Sequence, residues 1–384
     1  MPTELTTTYL AEIINITAFM LLIERGLPPI VIRSLLDLYL RQRFRTRWKG
    51  CVSDEFKTSN GIRQGGVISP VLFCIYIDEL LLRLESKGHG CWIGQQFYGA
   101  LGYADDLTLL APTISGLSSM IEECEKFGNE YNVKYNPDKT MCMHFSKKSN
   151  DNLVVKMNGK RLSWVKNIKY LGNYLDCDMS EKTDVRMKRS DLVYRVNHTT
   201  STLGKCHKSV IVNIFNTKCC HFYGAQSWNF CDPNIKQFET MWNRCVRRIL
   251  DLPLLTHRIL LPGLIGKLSA VEQIYCRFVK LYNGMLKSDN KRIVYIAKMS
   301  NTYRHSIIAE NLSLISKRLD CDIFTLCQYS VSQIKKCLLS KYSAVEPIVA
   351  QICELSQVLQ NQNVFIEGFE KHEVEELLYT LCTG

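Results

Sequence analysis

The sequence predicts an α+β fold, with short strands concentrated in the first half of the chain and helices in the second. Two observations carry this prediction. Short apolar runs flank turn residues at Asp105 and Asp106 and again at Asn158 and Gly159, which is the pattern of β-hairpins. Longer segments with helical apolar periodicity follow, most clearly at 235–251. A chain of 384 residues has the length of two or three domains.

An excess of basic residues indicates a polyanionic partner. The formal net charge is +11, from 48 Lys and Arg against 37 Asp and Glu, which favours nucleic acid first and an anionic membrane second. The apolar run 13–23 is too short to span a bilayer and lacks the flanks of a signal peptide, so we expect an intracellular protein, nuclear or cytoplasmic and not secreted. The 17 cysteines are irregularly spaced without a C-x-x-C, which indicates reduced thiols and does not match common zinc sites.

The first predicted elements are two helices and a basic ribbon. Residues 4–25 have a broad apolar face at helical spacing, and a second helix covers 30–40. Basic residues then alternate with polar and aromatic ones, which at strand period places four guanidinium groups on one face. These are Arg41, Arg43, Arg45 and Arg47. Such a face suits a phosphate backbone, with Phe44 and Trp48 stacking on bases, and the alternative is an edge strand that its charge protects from aggregation.

A glycine-rich loop leads into the next predicted helix. The segment GIRQGGVISP at 61–70 has three glycines within six residues, which permits close approach of the backbone to a ligand. Ser69 is predicted to cap a helix that runs to about Ser86 and stops at Gly88. A helix N-terminus behind such a loop suits a nucleotide phosphate or sugar. The alternative is a capped helix without a ligand.

The acidic pair lies at the centre of GALGYADDLTLLAP, residues 99–112. The apolar runs on either side predict a hairpin that holds Asp105 and Asp106 at an accessible turn. Adjacent carboxylates repel one another unless a cation neutralises them, and a hard divalent cation such as Mg²⁺ prefers such oxygen ligands. The alternative is an ordinary solvated turn, in which aspartate is common.

Downstream of the acidic pair, the sequence predicts further strands and then helices. The predicted strands are 153–157, 161–165 and 166–174, with the Asn-Gly hairpin signal between the first two. The predicted helices lie within the basic segment 180–218, over 235–251 and 271–285, and after residue 303. The basic helical segment suits a nucleic-acid duplex, and a solvated helix face is the alternative. Because its tail is acidic, the region 301–384 is assigned to helical packing without chemistry.

Two motifs together resemble the palm of reverse transcriptases, most closely those of LINE-type (non-LTR) retrotransposons. They are GIRQGGVISPVLF at 61–73 and YADD at 103–106. Further similarity, in NPDKT at 136–140, KYLG at 169–172 and several thumb-like segments, extends the likeness over about residues 19–285. The resemblance implies an incomplete right-hand palm with largely missing fingers over 1–178. A helical thumb and post-thumb region over 179–300 and a helical C-terminal region of unknown role over 301–384 would follow.

The resemblance implies an RNA-directed DNA polymerase, in which two Mg²⁺ ions, or Mn²⁺ as a substitute, assist nucleotidyl transfer. The implied partners are an RNA template, a DNA primer forming an RNA–DNA duplex, and dNTP, with no membrane. Asp105 and Asp106 are the implied catalytic residues and metal ligands. Lys139 is an implied general acid, and a salt-linked turn lysine is the alternative. The implied contacts to nucleotide and template are Arg63, Gln64, Gly65 and Tyr103, and those to nucleic acid are Tyr170 and Gly172, at a primer-grip turn, with the four ribbon arginines.

One part of the family pattern does not match this sequence. Relatives carry a further catalytic aspartate, in an F-x-D-x-x-K-A-F-D-like segment before an R-G-L-P turn. Here the turn is at 25–28, and Leu5 and Ala11 stand at the expected distance before it. The sequence therefore predicts a reverse transcriptase domain truncated at its amino end, with impaired polymerase activity. The first alternative is a non-catalytic nucleic-acid-binding remnant of a retrotransposon. The second is a purely structural remnant, or a gene-model truncation that lacks its true amino terminus.

Overall fold

The computed structural model describes residues 20–40, 43–56, 67–131, 133–146, 153–204, 206–360 and 379–380. The chain divides into two compact units. The first unit is Met1–Cys142 with Lys148–Val165, and the second unit is Met143–Lys147 with Lys166–Gly384. The fold is 58% helical with short β-hairpins, which confirms the predicted α+β class. Among the described residues, none of the helices has the length and apolarity needed to cross a membrane.

The first unit combines helices with small two-stranded sheets. Its helices are α1 (Pro29–Leu40), α2 (Ser69–Ser86) and α3 (Ile114–Tyr131). Its antiparallel pairs are β1 (Arg47–Trp48) with β2 (Cys51–Val52), β3 (Trp92–Ile93) with β4 (Gln96–Phe97), β5 (Ala100–Tyr103) with β6 (Asp106–Leu109), and β8 (Lys156–Met157) with β9 (Lys160–Arg161). The strands β7 (Met141–Cys142) and β10 (Ser163–Trp164) pair in parallel.

The main core of the first unit lies between α2 and α3. Its buried side chains are Leu80, Leu84, Phe97, Met120, Cys124 and Phe127, and Leu107 and Leu109 of β6 pack against them. At the edge of this core, the Arg83 guanidinium forms ion pairs with Glu79 at 3.0 Å and Glu130 at 2.6 Å. It also lies 5.1 Å from the ring centre of Tyr131. The two helices that support the acidic hairpin are therefore joined by both apolar and charged contacts.

The start of α2 differs from the sequence prediction. The helix ends at Ser86 and Gly88 follows with φ +73°, both as predicted. The predicted cap at Ser69 is wrong, because Ser69 lies inside the helix and Ile68 is the N-cap, without a side-chain capping bond. Ser69 is buried, and its hydroxyl is hydrogen-bonded to the Tyr39 hydroxyl at 3.0 Å. The Ser69 hydroxyl therefore bonds to a residue distant in sequence and not to the backbone N–H groups at the start of its own helix.

The second unit begins with one hairpin and continues as helices. The hairpin pairs β11 (Asn167–Tyr170) with β12 (Asn173–Asp176). The helices are α4 (Lys182–Leu203), α5 (Lys208–Ile214), α6 (Asn234–Leu250), α7 (Leu261–Leu264), α8 (Ala270–Leu286), α9 (Lys291–Thr302), α10 (Ile307–Leu319), α11 (Ile323–Gln328), α12 (Val331–Leu339) and α13 (Glu346–Gln360). A π-helical turn at Phe215–Cys219 extends α5, and 3-10 turns lie at Ala225–Ser227 and Ser340–Val345.

One continuous apolar core joins these helices. The largest fully buried side chains in it are Trp228, Trp242, Phe215 and Phe238. Buried residues of α10, α11 and α12 belong to the same core, so the helices predicted after residue 303 are present and pack on those before them. Every cysteine among the described residues is a free thiol, and burial raises the pKa of Cys220 to about 12. Buried thiols of this kind are unreactive.

A buried carboxylate, that of Asp184 on α4, ties the hairpin to the helices. Its Oδ1 accepts the backbone N–H of Tyr174 at 2.9 Å. Its Oδ2 accepts the Trp228 indole N–H and the Lys188 ammonium, both at 2.6 Å. Asp184 is 3% exposed, so these three donors replace the water that the charge has lost. We call Asp184, Lys188 and Trp228 the Asp184 network.

Replacing Asp184 by alanine should strongly destabilise the second unit, because the half-buried Lys188 ammonium, the buried Trp228 indole N–H and the Tyr174 N–H all lose the acceptor that they share. The expected loss in the free energy of unfolding, measured by urea denaturation, is about 3–5 kcal/mol. The matched control is Asp191→Ala on the same helix, which breaks the exposed pair with Arg195 at the same spacing. That control should cost about 0.5 kcal/mol. Equal losses for both variants would show that the Asp184 network is not stabilising.

The neighbouring Glu181 should make stability depend on pH. Burial, with the nearby Asp184 and Asp232 carboxylates, raises its pKa from 4.5 to about 7, although the Asn229 N–H donates to it at 2.8 Å. Between these two values the folded state holds the proton that the unfolded state has released. The free energy of unfolding should therefore fall by about 3 kcal/mol as the pH rises through this window.

The variant Glu181→Gln should remove this loss. In urea denaturation it should match the native chain closely at pH 4.5, the ordinary pKa of the group, and be the more stable of the two at about pH 8. A difference between the two proteins that is the same at both pH values would contradict this assignment.

Candidate nucleic-acid and metal site

The acidic pair lies at the tip of a hairpin, as predicted. The strands β5 and β6 pair from Ala100 opposite Leu109 to Tyr103 opposite Asp106, which leaves Ala104 and Asp105 as the turn. Ala104 has φ +49°, which suits the twist of a two-residue hairpin. Both aspartates are exposed. The turn therefore presents two adjacent carboxylates to solvent.

The base of this hairpin is fixed by packing. Leu107 and Leu109 lie against the core between α2 and α3, whereas Tyr103 on β5 is 61% exposed. Gly99 precedes β5 where a Cβ would lie 2.4 Å from the Phe97 ring, so a larger residue does not fit. A rigid base and an accessible tip are the properties expected of a ligand-binding turn.

The described residues do not by themselves form a divalent-metal site. Reverse transcriptases generally use divalent metal ions. Within the ranges that the structure describes, no group of three or more His, Cys, Asp or Glu side chains could hold a metal. Mg²⁺ requires about six oxygen ligands, so two carboxylates need water and substrate phosphates to complete its shell. Leu5 and Ala11, where the family pattern has its further aspartate, lie outside the described residues.

Lys139 lies on a tight turn before β7. The backbone carbonyl of Asn136 accepts the N–H groups of Lys139 at 3.2 Å and Thr140 at 3.1 Å, and the Asn136 side chain accepts the N–H of Asp138 at 2.9 Å. Lys139 is exposed, and the ion pair of this turn is made by Asp138 with Lys160. The strand β7 follows this turn directly and is only two residues long.

The basic ribbon is less regular than predicted. Among the described residues of the ribbon, the pairing consists of β1 with β2 and an isolated bridge between Phe44 and Phe56, so the expected strand geometry is present only in part. Glu55 forms ion pairs with Arg43 at 2.6 Å and Arg45 at 3.4 Å, which places these two guanidinium groups on one side and partly neutralises them. Arg47 is exposed and forms no ion pair with another described residue. Arg41 lies outside the described residues, as do Arg63, Gln64 and Gly65 of the glycine loop.

The predicted strand 166–174 is instead a hairpin. It reverses at Leu171 and Gly172, whose φ angles are +46° and +85°. Positive φ at both central residues is the geometry of a type I′ turn, which joins β11 to β12 tightly. A Cβ on Gly172 would lie 3.3 Å from Cε1 of Tyr223, so this turn rests against the Tyr223 ring. Tyr170 is half-buried beside the turn.

The residues that support this turn were not predicted from the sequence. Asn173, next to Gly172, accepts the Lys188 ammonium at 3.0 Å and thereby joins the Asp184 network. Gly224 has φ +78°, and a Cβ there would lie 1.7 Å from the Asn173 side-chain oxygen. The spacing of four residues between Asp184 and Lys188 is a helix ion-pair signal, but it does not reveal burial.

Parts of this chain are similar to known reverse transcriptases. The reverse transcriptase (RNA-dependent DNA polymerase) family model matches residues 15–175. The RNA-directed DNA polymerase from mobile element jockey of Drosophila melanogaster is 21% identical over 284 residues, 68% of this chain and 30% of that protein. The Pol polyprotein from type-2 retrotransposable element R2DM of the same species is 37% identical over 90 residues, 23% of this chain and 8% of that protein.

A third relative is the Pol polyprotein from type-1 retrotransposable element R2 of Nasonia vitripennis. It is 37% identical over 83 residues, 22% of this chain and 8% of that protein. The chain therefore spans less than a third of the length of these relatives. Residues 15–175 therefore match the reverse transcriptase family, and the relatives to which the chain is similar are RNA-directed DNA polymerases and Pol polyproteins of non-LTR retrotransposons.

Proposed function

We propose that this chain is the palm and thumb part of a non-LTR reverse transcriptase, which binds an RNA–DNA duplex but polymerises little or no DNA as a 384-residue polypeptide alone. The observation that carries the proposal is the exposed Asp105–Asp106 turn on a rigid hairpin within the matched segment. In this proposal the first 178 residues are partial fingers and palm, α4 to α9 are the thumb region, and the later helices support them by packing.

Each proposed role follows from position and chemistry. Asp105 and Asp106 would hold Mg²⁺, or Mn²⁺ in its place, and the metal would neutralise the charge of the dNTP phosphates. Tyr103 borders the nucleotide, because its exposed ring is opposite Asp106 in the hairpin. Lys139 is placed as a proton donor to pyrophosphate by its family motif alone. Arg63, Gln64 and Gly65 are assigned to nucleotide and template on the same ground.

The nucleic acid is bound mainly by electrostatic contacts. Arg47 is the best candidate in the ribbon for a phosphate contact, because the guanidinium groups of Arg43 and Arg45 already form ion pairs with Glu55. The turn at Tyr170 and Gly172 is assigned to the primer strand, where the Asp184 network keeps its backbone in place. A non-catalytic nucleic-acid-binding protein is the second candidate function, and it is favoured because the described residues place no third carboxylate, histidine or cysteine with Asp105 and Asp106.

Primer extension tests the activity of the chain. On a primed RNA template with dNTP and either Mg²⁺ or Mn²⁺, we expect little or no product, because no third carboxylate joins Asp105 and Asp106 among the residues that the structure describes. The control is Asp105→Asn, which should leave this background unchanged. Robust synthesis that Asp105→Asn abolishes would contradict the proposed inactivity and establish a working polymerase.

Binding to an RNA–DNA duplex should be strong at low salt and fall as salt rises, since each phosphate contact releases counterions. The variant Arg47→Ala should lower the slope of log affinity against log salt by about 0.9, the loss of one phosphate contact. Lys126→Ala, an exposed lysine on α3, is the matched control and should leave the slope unchanged. Fluorescence anisotropy measures both. Binding independent of salt would contradict this proposal, and equal slopes for the two variants would remove Arg47 from it.

A further inference from the structure

A groove in the second unit lies next to the turn at Gly172. Its walls are the segment that carries His221, Tyr223 and Gln226 and the face of α8 that carries Arg277, Lys280 and Leu281. We call it the α8 groove. Its volume is about 780 Å³, which is in the range of small-molecule sites and is large enough for a nucleotide unit. None of the motifs that identified the family accounts for α8.

The charged side chains that line the α8 groove are all basic among the described residues. Among the described residues that line it are Arg277 and Lys280, and none of those lining residues is Asp or Glu. Arg277 and Lys280 are three positions apart on α8, so their side chains lie on neighbouring parts of one helix face. Because no carboxylate opposes them there, the groove is electrically complementary to an anionic chain.

The Arg277 guanidinium makes two contacts with the chain beside the groove. One of its nitrogens donates to the Cys220 carbonyl at 3.5 Å, and its carbon lies 5.7 Å from the ring centre of Phe222. Lys280, one turn further along α8, is exposed and free to follow a ligand. A guanidinium and an exposed ammonium one turn apart on the same helix face suit successive phosphates of one backbone.

Tyr223 connects the groove to the Gly172 turn. Its side chain is 63% exposed although its ring edge contacts the position of Gly172. The next residue, Gly224, packs against Asn173 with a backbone that a larger residue would not adopt, and this fixes the direction of the chain after Tyr223. An exposed aromatic ring with a fixed backbone is a stacking platform for a nucleobase.

We propose that one strand of nucleic acid continues from the Gly172 turn along the α8 groove, with a base stacked on Tyr223 and phosphates at Arg277 and Lys280. This inference rests on the proposed function and extends it, because it assigns nucleic-acid contacts to α8. The occupant is a single strand, because the Tyr223 ring stacks on one base and the cations of Arg277 and Lys280 contact the phosphates of one backbone. An acidic peptide has the charge but lacks bases for the ring.

The test is binding of fluorescent single-stranded DNA and RNA of about 12 nucleotides to the full chain, followed by anisotropy. Tyr223→Ala should weaken binding about tenfold, and Tyr223→Phe should retain it because the ring is kept. Lys280→Glu should weaken binding about tenfold through its charge. Lys236→Glu makes the same charge change at an exposed position on α6 and should have little effect.

The outcomes separate this inference from the proposed function. If the native chain binds both oligonucleotides and all four variants bind equally well, the α8 groove is excluded while nucleic-acid binding stands. If the native chain binds neither strand nor duplex, the proposed function fails and the groove assignment with it. Poly-glutamate is the probe for an acidic peptide, and binding of it that Lys280→Glu abolishes, with oligonucleotide binding unchanged, would overturn the proposal. Lys280→Glu alters an exposed side chain, so it remains informative if Tyr223→Ala fails to fold.

Discussion

The packing of the second unit depends on the hydrogen bonds that the buried carboxylate of Asp184 accepts. This carboxylate joins the backbone of β12, the ammonium of Lys188 on α4 and the indole of Trp228, so three separated segments share one charge. The loop after Trp228 continues the connection, because the Asn311 side chain bonds both the Trp228 carbonyl and the Phe230 N–H at 2.8 Å. Helices late in the chain thereby hold the hairpin that carries Gly172.

A different constraint governs the first unit. Its acidic pair must stay exposed, while the strands that carry it must be fixed. One face of the hairpin is packed through Leu107 and Leu109, and the other remains open at Tyr103. This arrangement leaves two neighbouring negative charges in solvent, where they repel one another unless a cation is bound. The proposed metal role explains why the chain keeps such a turn on a rigid support.

Local rules predicted the elements well and tertiary partners poorly. The Asn158–Gly159 signal gave a hairpin at the right place, and the bounds of α1, α2 and α6 agree with the apolar periodicity. The prediction that Ser69 caps α2 was wrong, because the Ser69 hydroxyl is hydrogen-bonded to the Tyr39 hydroxyl, thirty positions away in the sequence. The Asp184 network could not be predicted, because Trp228 lies 44 positions further along the chain and only the fold brings it near. Family motifs located the acidic pair, but not the groove beside α8.

We propose that Asp105 and Asp106 hold a metal ion weakly, because the described residues bring no third ligand side chain to them. Titration with Mn²⁺ followed by electron paramagnetic resonance measures this directly. We expect the native chain to bind Mn²⁺ weakly, with a dissociation constant on the order of millimolar. The double variant Asp105→Asn with Asp106→Asn should abolish this binding. Binding that is unchanged in the double variant would contradict a metal role for the pair. Tight binding of two Mn²⁺ ions by the native chain would contradict the proposed weak binding.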